Sequence, residues 1–340
     1  MKRILLSRTD AIGDLILTLP VARSIKEAYP DYHITMLVSE YTEQLLEGEE
    51  YIDGVMTIPG RELGNYVEVQ EVSHLLRAGD FDAVVFFYPR FSLALAARMA
   101  RISRRVGTGY RSYSLLLNER VKLHRKHSGK HELDLNYDLV ESAFPGLPRH
   151  EPQLAVLEQE ICSAQALLGK HGVDLDEPYV IVHPFSRGSA PNWRLENYVS
   201  LAQGLAASSV TVLITGSQQE RRQLGSFFTD SPRSVVNVAG ETDLRQLKGL
   251  IKSAAMVVTS STGPIHIATA VETFAVGIYP PVAALSPVRW GPRGGANKLF
   301  VPEVTLNEGH TGSSMDGIKV ENVLAFILSK LQADIRLRKQ

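Results

Sequence analysis

Short apolar runs alternate along the chain with longer stretches in which apolar residues recur at every third or fourth position. Apolar runs predict five strands in the first half, at residues 3–7, 33–38, 54–58, 83–87 and 105–107. Between the first two strands, helical spacing predicts one helix through Leu15, Leu17, Val21, Ile25 and Ala28. Strands that alternate with helices in this way are typical of βαβ units and of a parallel sheet.

The second half repeats this pattern after a break at Pro145-Gly146-Leu147-Pro148 and Pro152, which interrupts both periodicities. Further apolar runs predict strands at residues 179–183, 210–215, 235–238, 256–259 and 274–279. A length of 340 residues suits two α/β domains, so we predict an N-terminal domain of residues 1–155 and a C-terminal domain of residues 156–340. A final amphipathic helix is marked by Val320, Val323, Leu324, Ile327 and Leu331, and we expect this helix to pack back on the N-terminal domain.

Composition narrows the class of protein. The formal net charge is −1, so bulk electrostatics attracts neither nucleic acid nor a membrane, and an anionic ligand needs a local basic patch. The single cysteine, Cys162, predicts a buried thiol in a reducing compartment. The apolar run after Arg3 ends at Ser7, too early for a signal peptide, and no run approaches the roughly 18 residues of a membrane span. We therefore expect a cytoplasmic protein.

The first candidate site follows the first predicted strand, at Asp10, Gly13 and Asp14. Ligands of open α/β sheets bind at the carboxyl ends of strands, and a carboxylate there faces the positive end of the next helix. We therefore predict that Asp14, with Asp10 and Gly13 beside it, faces a ligand bound at this strand end. The plainer interpretation is that both acids only cap the helix. The segment lacks the glycine spacing of a dinucleotide site.

Three strand ends in the second half carry small polar residues, and together they predict a nucleotide-sugar site. Its predicted contacts are Ser186, Arg187, Thr215, Gly216, Glu220, Ser261, Thr262, Gly263, Pro264 and His266. Backbone N–H groups after Thr262 are suited to a diphosphate, and Pro264 suits a first helical turn. The plainer interpretations are a structural role for His266 and a helix-capping role for Glu220.

A basic stretch lies between residues 98 and 130. It contains Arg98, Arg101, Arg104, Arg105, Arg111, Arg120, Lys122, Arg125, Lys126 and Lys130. Such runs are usually solvated surfaces, but its uneven charge in a nearly neutral chain favours an anionic partner. We predict that Arg104, Arg105, Arg111, Arg120 and Lys122 bind this anionic partner.

Three motifs in order resemble glycosyltransferase family nine, the lipopolysaccharide heptosyltransferases. The motifs are Arg8-Thr9-Asp10-Ala11-Ile12-Gly13-Asp14 continuing to Pro20, then Thr215-Gly216 with Glu220, then Thr262-Gly263-Pro264-Ile265-His266. His131-Glu132, Asn192-Trp193 and the stretch from Val238 to Leu244 are also similar, so the resemblance spans most of the chain.

The resemblance implies an α/β protein of the GT-B fold, with two Rossmann-like domains whose parallel sheets face a central cleft. It implies that the N-terminal domain binds the acceptor, that the C-terminal domain binds the nucleotide-sugar donor, and that transfer inverts the anomeric configuration without a metal or a cofactor. Asp14 matches the family's base, and Glu220, Thr262, Gly263 and His266 match its donor contacts. The implied donor is ADP-heptose, and the implied acceptor is the lipopolysaccharide inner core, a phosphorylated or Kdo-bearing lipid-linked saccharide. We expect this acceptor to contact Asp10, Gly13, Arg104, Arg105, Arg111, Arg120 and Lys122. Peripheral contact with the inner membrane is also expected.

Two positions depart from the family pattern. Ser261 stands where many members have an aspartate that holds the donor sugar, and Pro191-Asn192 precede Trp193 where members often have a lysine. Arg187 and Arg194 are possible substitutes for that cation. The departures leave two alternatives open: a transferase or epimerase that uses another sugar nucleotide, and a catalytically impaired binding homologue. Retention of Asp14 and His266 favours an enzyme.

Overall fold

The computed structural model describes residues 2–125, 128–174, 177–186, 188, 190–225, 227–228, 231–302, 315 and 317–338, the last five by their backbone only. Contacts between Cα atoms divide the chain into two compact units, Met1–Ala155 and Val156–Gln340. Each unit has its own hydrophobic core. None of the helices in the described ranges is both long enough and apolar enough to span a bilayer.

The first unit is built on a parallel sheet. Its strands are β1 (Arg3–Arg8), β2 (His33–Ser39), β3 (Gly54–Ile58), β4 (Ala83–Phe86), β5 (Arg104–Thr108) and β6 (Glu119–Val121). Its helices are α1 (Ile12–Ile16), α2 (Leu19–Ala28), α3 (Tyr66–Ala78), α4 (Phe91–Met99) and α5 (Glu132–Val140), with 3₁₀ turns at Glu43–Leu46 and Ser112–Leu116. Within the described residues the strand order is β3-β2-β1-β4-β5-β6.

The centre of this sheet is β1, where Ile4 pairs with Ile34 of β2 on one side and with Ala83 of β4 on the other. The chain moves outwards from β1 to β3 and then returns to β4, so the strand order reverses between β1 and β4. Connections that leave these two strands in opposite directions open a crevice at their carboxyl ends, which is the usual ligand site of a doubly wound sheet.

One predicted helix is two helices in the structure. The segment after β1 forms α1 and ends at Leu17, and α2 begins after Thr18. The break has a local cause, because Pro20 has no N–H to donate to the carbonyl of Ile16 and its ring would clash there. The Thr18 hydroxyl instead donates to the Asp14 carbonyl at 2.9 Å. Asp14 therefore lies on a one-turn helix of its own.

The second unit repeats the topology of the first. Its strands are β7 (Tyr179–His183), β8 (Thr211–Ile214), β9 (Val235–Asn237), β10 (Met256–Ser260), β11 (Phe274–Ile278) and β12 (Asn297–Phe300). Its helices are α6 (Glu158–Lys170), α7 (Leu195–Ala207), α8 (Gln218–Leu224), α9 (Leu244–Ser253), α10 (Gly263–Ala270), α11 (Pro287–Trp290) and α12 (Val320–Arg338), with a 3₁₀ turn at Ala283–Leu285. The order β12-β11-β10-β7-β8-β9 among the described strands places the reversal between β7 and β10.

The last helix, α12, packs its apolar stripe on the core of the second unit. Val323 and Ile327 are fully buried there with Val180 and Val258 of the sheet. Leu324 also lies against α7, because a Cβ atom placed on Gly204 would come within 2.6 Å of it. The stripe that the sequence singles out is thus used within the second unit, and contact with the first unit stays a prediction.

All ten predicted strands are present, and two edge strands, β6 and β12, are additional. Both are short and partly exposed, so they carry no apolar run that would predict them. The prediction for Cys162 is wrong, because this residue is exposed. On α6 the buried positions are Glu160, Ala164, Leu167 and Leu168, and Cys162 lies on another face of the helix.

Candidate active site

In the first unit, Arg8 organises the carboxyl end of β1. Its side chain is only 2% exposed and contacts three carboxylates. The Nε atom donates to Asp10 at 2.8 Å, and Nη2 donates to Asp14 in a close ion pair. The Asp10 and Asp14 side chains are each 17% exposed. Arg8 thus holds two carboxylates at the crevice and fixes their orientation.

The other side of the Arg8 guanidinium is held by α5, more than 120 residues along the chain. Nη1 donates to Glu132 and to the side-chain oxygen of Asn136, both at 3.4 Å. Arg125 donates to the same two residues. The Asn136 amide in turn donates to the Leu17 carbonyl at 2.8 Å. These contacts fix α5 against the end of α1, so the turn that carries Asp14 is braced from both sides.

Burial and charge act in opposite directions in this cluster. Burial raises the pKa of the Asp10 carboxyl most strongly, Arg8 lowers it and Asp14 raises it again, with a result of about 7. Burial alone would lower the pKa of Arg8, but Asp10, Asp14 and Glu132 raise it above its usual range. The guanidinium is therefore always charged, whereas Asp10 exchanges a proton near neutral pH. A carboxyl poised in this way is typical of sites that move protons.

The remaining residues predicted for the first unit lie in two settings. Gly13 is buried in the turn of α1. Arg104 pairs with Glu119 across β5 and β6, and Arg105 donates to the Leu116 carbonyl at 2.8 Å. Their charged groups therefore hold neighbouring elements together. By contrast, the structure leaves the cations of the β6 edge exposed, at Arg111, Arg120 and Lys122. Acceptor binding by any of these residues stays a prediction.

In the second unit, the ends of β7 and β8 carry polar side chains that contact one another. His183 is buried, and its Nδ1 atom lies 3.0 Å from the Thr215 hydroxyl. Ser186 is also buried and donates to the Ala190 carbonyl at 2.7 Å. Arg187, which the sequence predicts to contact the donor, lies outside the described residues.

Glu220 closes a capping box at the start of α8. Its Oε2 atom accepts from the Ser217 N–H at 2.6 Å, and the Ser217 hydroxyl accepts from the Glu220 N–H at 3.2 Å. The other oxygen, Oε1, is buried and finds no hydrogen-bond partner among the described residues. A Cβ atom on Gly216 would stand 3.3 Å from the Glu220 carboxylate, so glycine lets this carboxylate approach the backbone. Glu220 thus caps the helix with one carboxylate oxygen, and a contact of the other oxygen with the donor stays a prediction.

The end of β10 presents small hydroxyl residues and the start of α10. Ser260 is buried and forms a hydrogen bond of 2.8 Å with the Tyr198 hydroxyl, while Ser261 forms a hydrogen bond with the Tyr279 hydroxyl. Thr262 is the N-cap residue of α10, although in the described part of the chain its hydroxyl does not cap the helix. Pro264 occupies the first turn and His266 is buried in the second. The first turn is thus a helix start of the kind that binds phosphate.

The cluster that Arg8 forms with Asp10, Asp14, Glu132 and Asn136 is not predicted from the sequence. Arg8 and Glu132 enter the sequence prediction only as members of longer motifs, and Asn136 does not enter it. The available signal was an arginine that ends an otherwise apolar strand, followed by acids two and six positions later. Among the described residues no group of three histidine, cysteine or acidic side chains is arranged to hold a metal ion.

Comparison with known proteins identifies a family and several relatives that this chain resembles. The model of "Glycosyltransferase family 9 (heptosyltransferase)" matches residues 69–315. A lipopolysaccharide core heptosyltransferase of Haemophilus influenzae is 25% identical over 302 residues, which cover 86% of this chain and 82% of the relative. Lipopolysaccharide heptosyltransferase 3 of Escherichia coli is 23% identical over 288 residues, 82% of each chain.

A solved structure confirms the fold class. The ADP-heptose lipopolysaccharide heptosyltransferase II of Escherichia coli superposes with a TM-score of 0.80 at 22% identity, over 98% of this chain and 99% of that one. At this identity the likeness shows the fold alone. The predicted α/β fold of the GT-B class is thus confirmed, while the predicted cleft between the two sheets stays a prediction.

Proposed function

The chain belongs to glycosyltransferase family 9 and is a glycosyltransferase, and we propose that it moves a heptose from ADP-heptose to a hydroxyl of the lipopolysaccharide inner core. The names of its relatives support this donor and this acceptor. In the proposed reaction the first unit binds the acceptor and the second binds the donor. Transfer inverts the anomeric carbon in one step and uses no metal. We place the protein in the cytoplasm, in peripheral contact with the inner membrane where its acceptor resides.

The position of Asp14 carries the proposal. A one-turn helix holds this carboxylate at the crevice of the first sheet, and Arg8 fixes its orientation. Asp14 accepts the proton of the acceptor hydroxyl while that oxygen attacks the anomeric carbon. A base in this role needs hydrogen-bond reach and only modest basicity, because the hydroxyl becomes acidic as the new bond forms. Arg8 has no direct part in this step and positions the base.

The second unit contributes the leaving-group side of the reaction. The first turn of α10 offers backbone N–H groups and the positive end of a helix to the diphosphate. Negative charge grows on the diphosphate as the glycosidic bond breaks, so these dipoles stabilise the transition state. Glu220 accepts a hydrogen bond from a hydroxyl of the nucleoside through Oε1, which has no other partner among the described residues.

Two variants, one in each unit, test whether the first unit supplies the base and the second unit binds the donor. We expect Asp14→Asn to lower kcat by at least about a hundredfold, the usual loss for a general base, and to leave the donor dissociation constant unchanged. We expect His266→Ala to do the opposite, weakening donor binding by about 1–3 kcal/mol. Single-turnover kinetics and calorimetry measure the two quantities separately. Near-normal turnover by Asp14→Asn rules out this base, and unchanged donor affinity of His266→Ala rules out the donor role of α10.

The metal and the donor need their own measurements. The rate in excess chelator should equal the rate in buffer, and an absolute requirement for Mg²⁺ or Mn²⁺ would exclude the proposed mechanism.

A second candidate function is transfer from another sugar nucleotide. It is kept because Ser261, which forms a hydrogen bond with the Tyr279 hydroxyl, stands where many family members have a carboxylate. A thermal-shift panel of ADP-, UDP-, GDP- and CDP-sugars decides between them, because only a ligand that binds the folded state raises its melting temperature.

A further inference from the structure

Arg90 lies at the other strand end of the first crevice, after β4, and its side chain is 3% exposed. Its Nη1 atom donates to the Thr9 hydroxyl at 3.2 Å and to the Pro59 carbonyl at 3.3 Å. Thr9 stands between Arg8 and Asp10 in the chain, so Arg90 reaches the segment that carries the proposed catalytic cluster. The Nη2 atom of Arg90 is buried and finds no hydrogen-bond partner within the described residues.

Arg90 is also the N-cap residue of α4, and the first turn of that helix binds a carboxylate. The Ser92 N–H donates to Glu62 Oε1 at 2.8 Å, and Arg90 Nε donates to Glu62 Oε2 at 3.3 Å. A carboxylate held by a backbone N–H and a guanidinium at a helix start has the geometry of a bound anion. The Ser92 hydroxyl is buried beside the same carboxylate, whereas Arg90 Nη2 has no partner in the described part of the chain.

Glu62 is much more exposed to solvent than the two residues that bind its carboxylate, Arg90 and Ser92. Its side chain is 52% exposed, whereas Arg90 and Ser92 are almost fully buried. The loop before α3 has other anchors, since Leu63 is buried in the core and Arg61 pairs with Glu68. Glu62 can therefore leave Arg90 without release of the whole loop. The buried Nη2 donor of Arg90, which has no partner among the described residues, indicates that the Glu62 carboxylate fills this position incompletely.

We propose that Arg90, Ser92 and the first turn of α4 form a subsite for an anionic group of the acceptor, a phosphate or a carboxylate, and that Glu62 occupies it until the acceptor binds. A phosphate has more acceptor oxygens than a carboxylate and can reach Arg90 Nη2 and the Ser92 hydroxyl as well. The inference rests on the proposed function only in taking the ligand to be the acceptor. Anion binding itself does not depend on turnover.

The test compares variants of the full chain without donor. Glu62→Gln keeps an oxygen for the Ser92 N–H but removes the competing charge, and Glu68→Gln removes a nearby carboxylate, in the first turn of α3, whose partners are Arg61 and Gly64. Calorimetry with inorganic phosphate, and separately with glucuronate, at constant ionic strength measures anion affinity. We expect Glu62→Gln to bind one of these probes at least about fivefold more tightly than wild type, because the occupied state reduces apparent affinity. Glu68→Gln should match wild type.

A third variant assigns the effect to Arg90. Glu62→Gln combined with Arg90→Lys keeps the positive charge but removes the planar fork, so the gain in affinity should be lost. The stronger probe identifies the class of anion. Equal affinities of Glu62→Gln and Glu68→Gln, or no binding of either probe to any variant, would overturn the subsite and would show that Glu62 only caps α4. Neither result bears on Asp14, whose test is the rate of transfer.

Discussion

The carboxyl ends of β1 and β10 each border the point where the strand order of their sheet reverses, yet they are surrounded by opposite chemistry. Around β1, Arg8 and Arg125 are packed among Asp10, Asp14 and Glu132. Around β10, short hydroxyl residues lead into a helix start. Topology places a crevice at both ends, but the side chains decide the chemistry that each crevice can support.

The difference extends to how each end is held. The β1 cluster depends on side-chain ion pairs between segments far apart in the chain, whereas the β10 end depends on backbone conformation and hydroxyl contacts such as Ser260 with Tyr198. A single substitution should therefore damage the first end more than the second. The predictions below follow from this contrast, in order of decreasing effect.

The largest effect is expected for Arg8→Gln. This change leaves Asp10, Asp14 and Glu132 in a buried cluster without their shared cation, and loss of one partner of a buried charge pair costs about 3–5 kcal/mol. Urea unfolding measures the loss. Arg104→Gln is the matched control, because its pair with Glu119 is partly exposed and is expected to contribute about 0.2–1 kcal/mol. Equal losses for the two variants would show that the cluster around Arg8 is no more than a surface pair.

Asp10→Asn should change the pH dependence of stability. The pKa of Asp10 is about 7 in the folded protein and about 3.9 in an unfolded chain, so between these values the folded state binds the extra proton. The contribution of Asp10 to the free energy of unfolding therefore falls as pH rises from 4 to 7, by at most about 1.4 kcal/mol per pH unit. Asn has no such contribution, so the variant gains stability relative to wild type over this range. Parallel stability curves from pH 4 to 7 would contradict the raised pKa.

In the second unit, two substitutions of Glu220 separate its roles. Glu220→Ala removes the capping box, which should cost about 0.5–2 kcal/mol of stability, and also weakens donor binding. Glu220→Gln keeps an oxygen for the Ser217 N–H, so stability should stay near that of wild type while donor affinity falls. Chemical unfolding and calorimetry give the two values. A Glu220→Gln variant with full donor affinity would leave Glu220 with a capping role alone.

The smallest effect is expected for the exposed cations of the β6 edge. Arg120→Gln with Lys122→Gln should raise the acceptor KM by a few fold, leave the donor KM unchanged, and reduce the sensitivity of acceptor KM to salt, because exposed charges are screened over about 8 Å at physiological ionic strength. Arg104→Gln with Arg105→Gln should instead lower stability, since both side chains hold neighbouring elements. Identical acceptor constants at low and moderate salt for all variants would show that the edge is only a solvated surface.

Much of the fold was predictable because its signals are local. Apolar runs predict ten of the twelve described strands, and apolar residues at helical spacing predict the final helix. Strand ends are marked by local polar residues, so the sequence places Asp14 and the segment from Thr262 to His266 at strand ends. The edge strands β6 and β12 escaped, because a strand half exposed to water need not be apolar. The break at Pro20 was legible in the sequence but was overlooked.

The sequence by itself determined the two repeated sheets, the family and the polar strand ends, because helix and strand periods, prolines and glycines act within a few residues of one another. Only the tertiary structure decided which charges meet. Arg8 with Glu132, Arg104 with Glu119 and Arg90 with Glu62 are separated by 124, 15 and 28 positions, and no local pattern reports which carboxylate an arginine will find. Ion pairing depends on distance and burial in the folded chain. Only the folded structure therefore shows which arginines lie in buried ion pairs, which link neighbouring elements and which stay exposed.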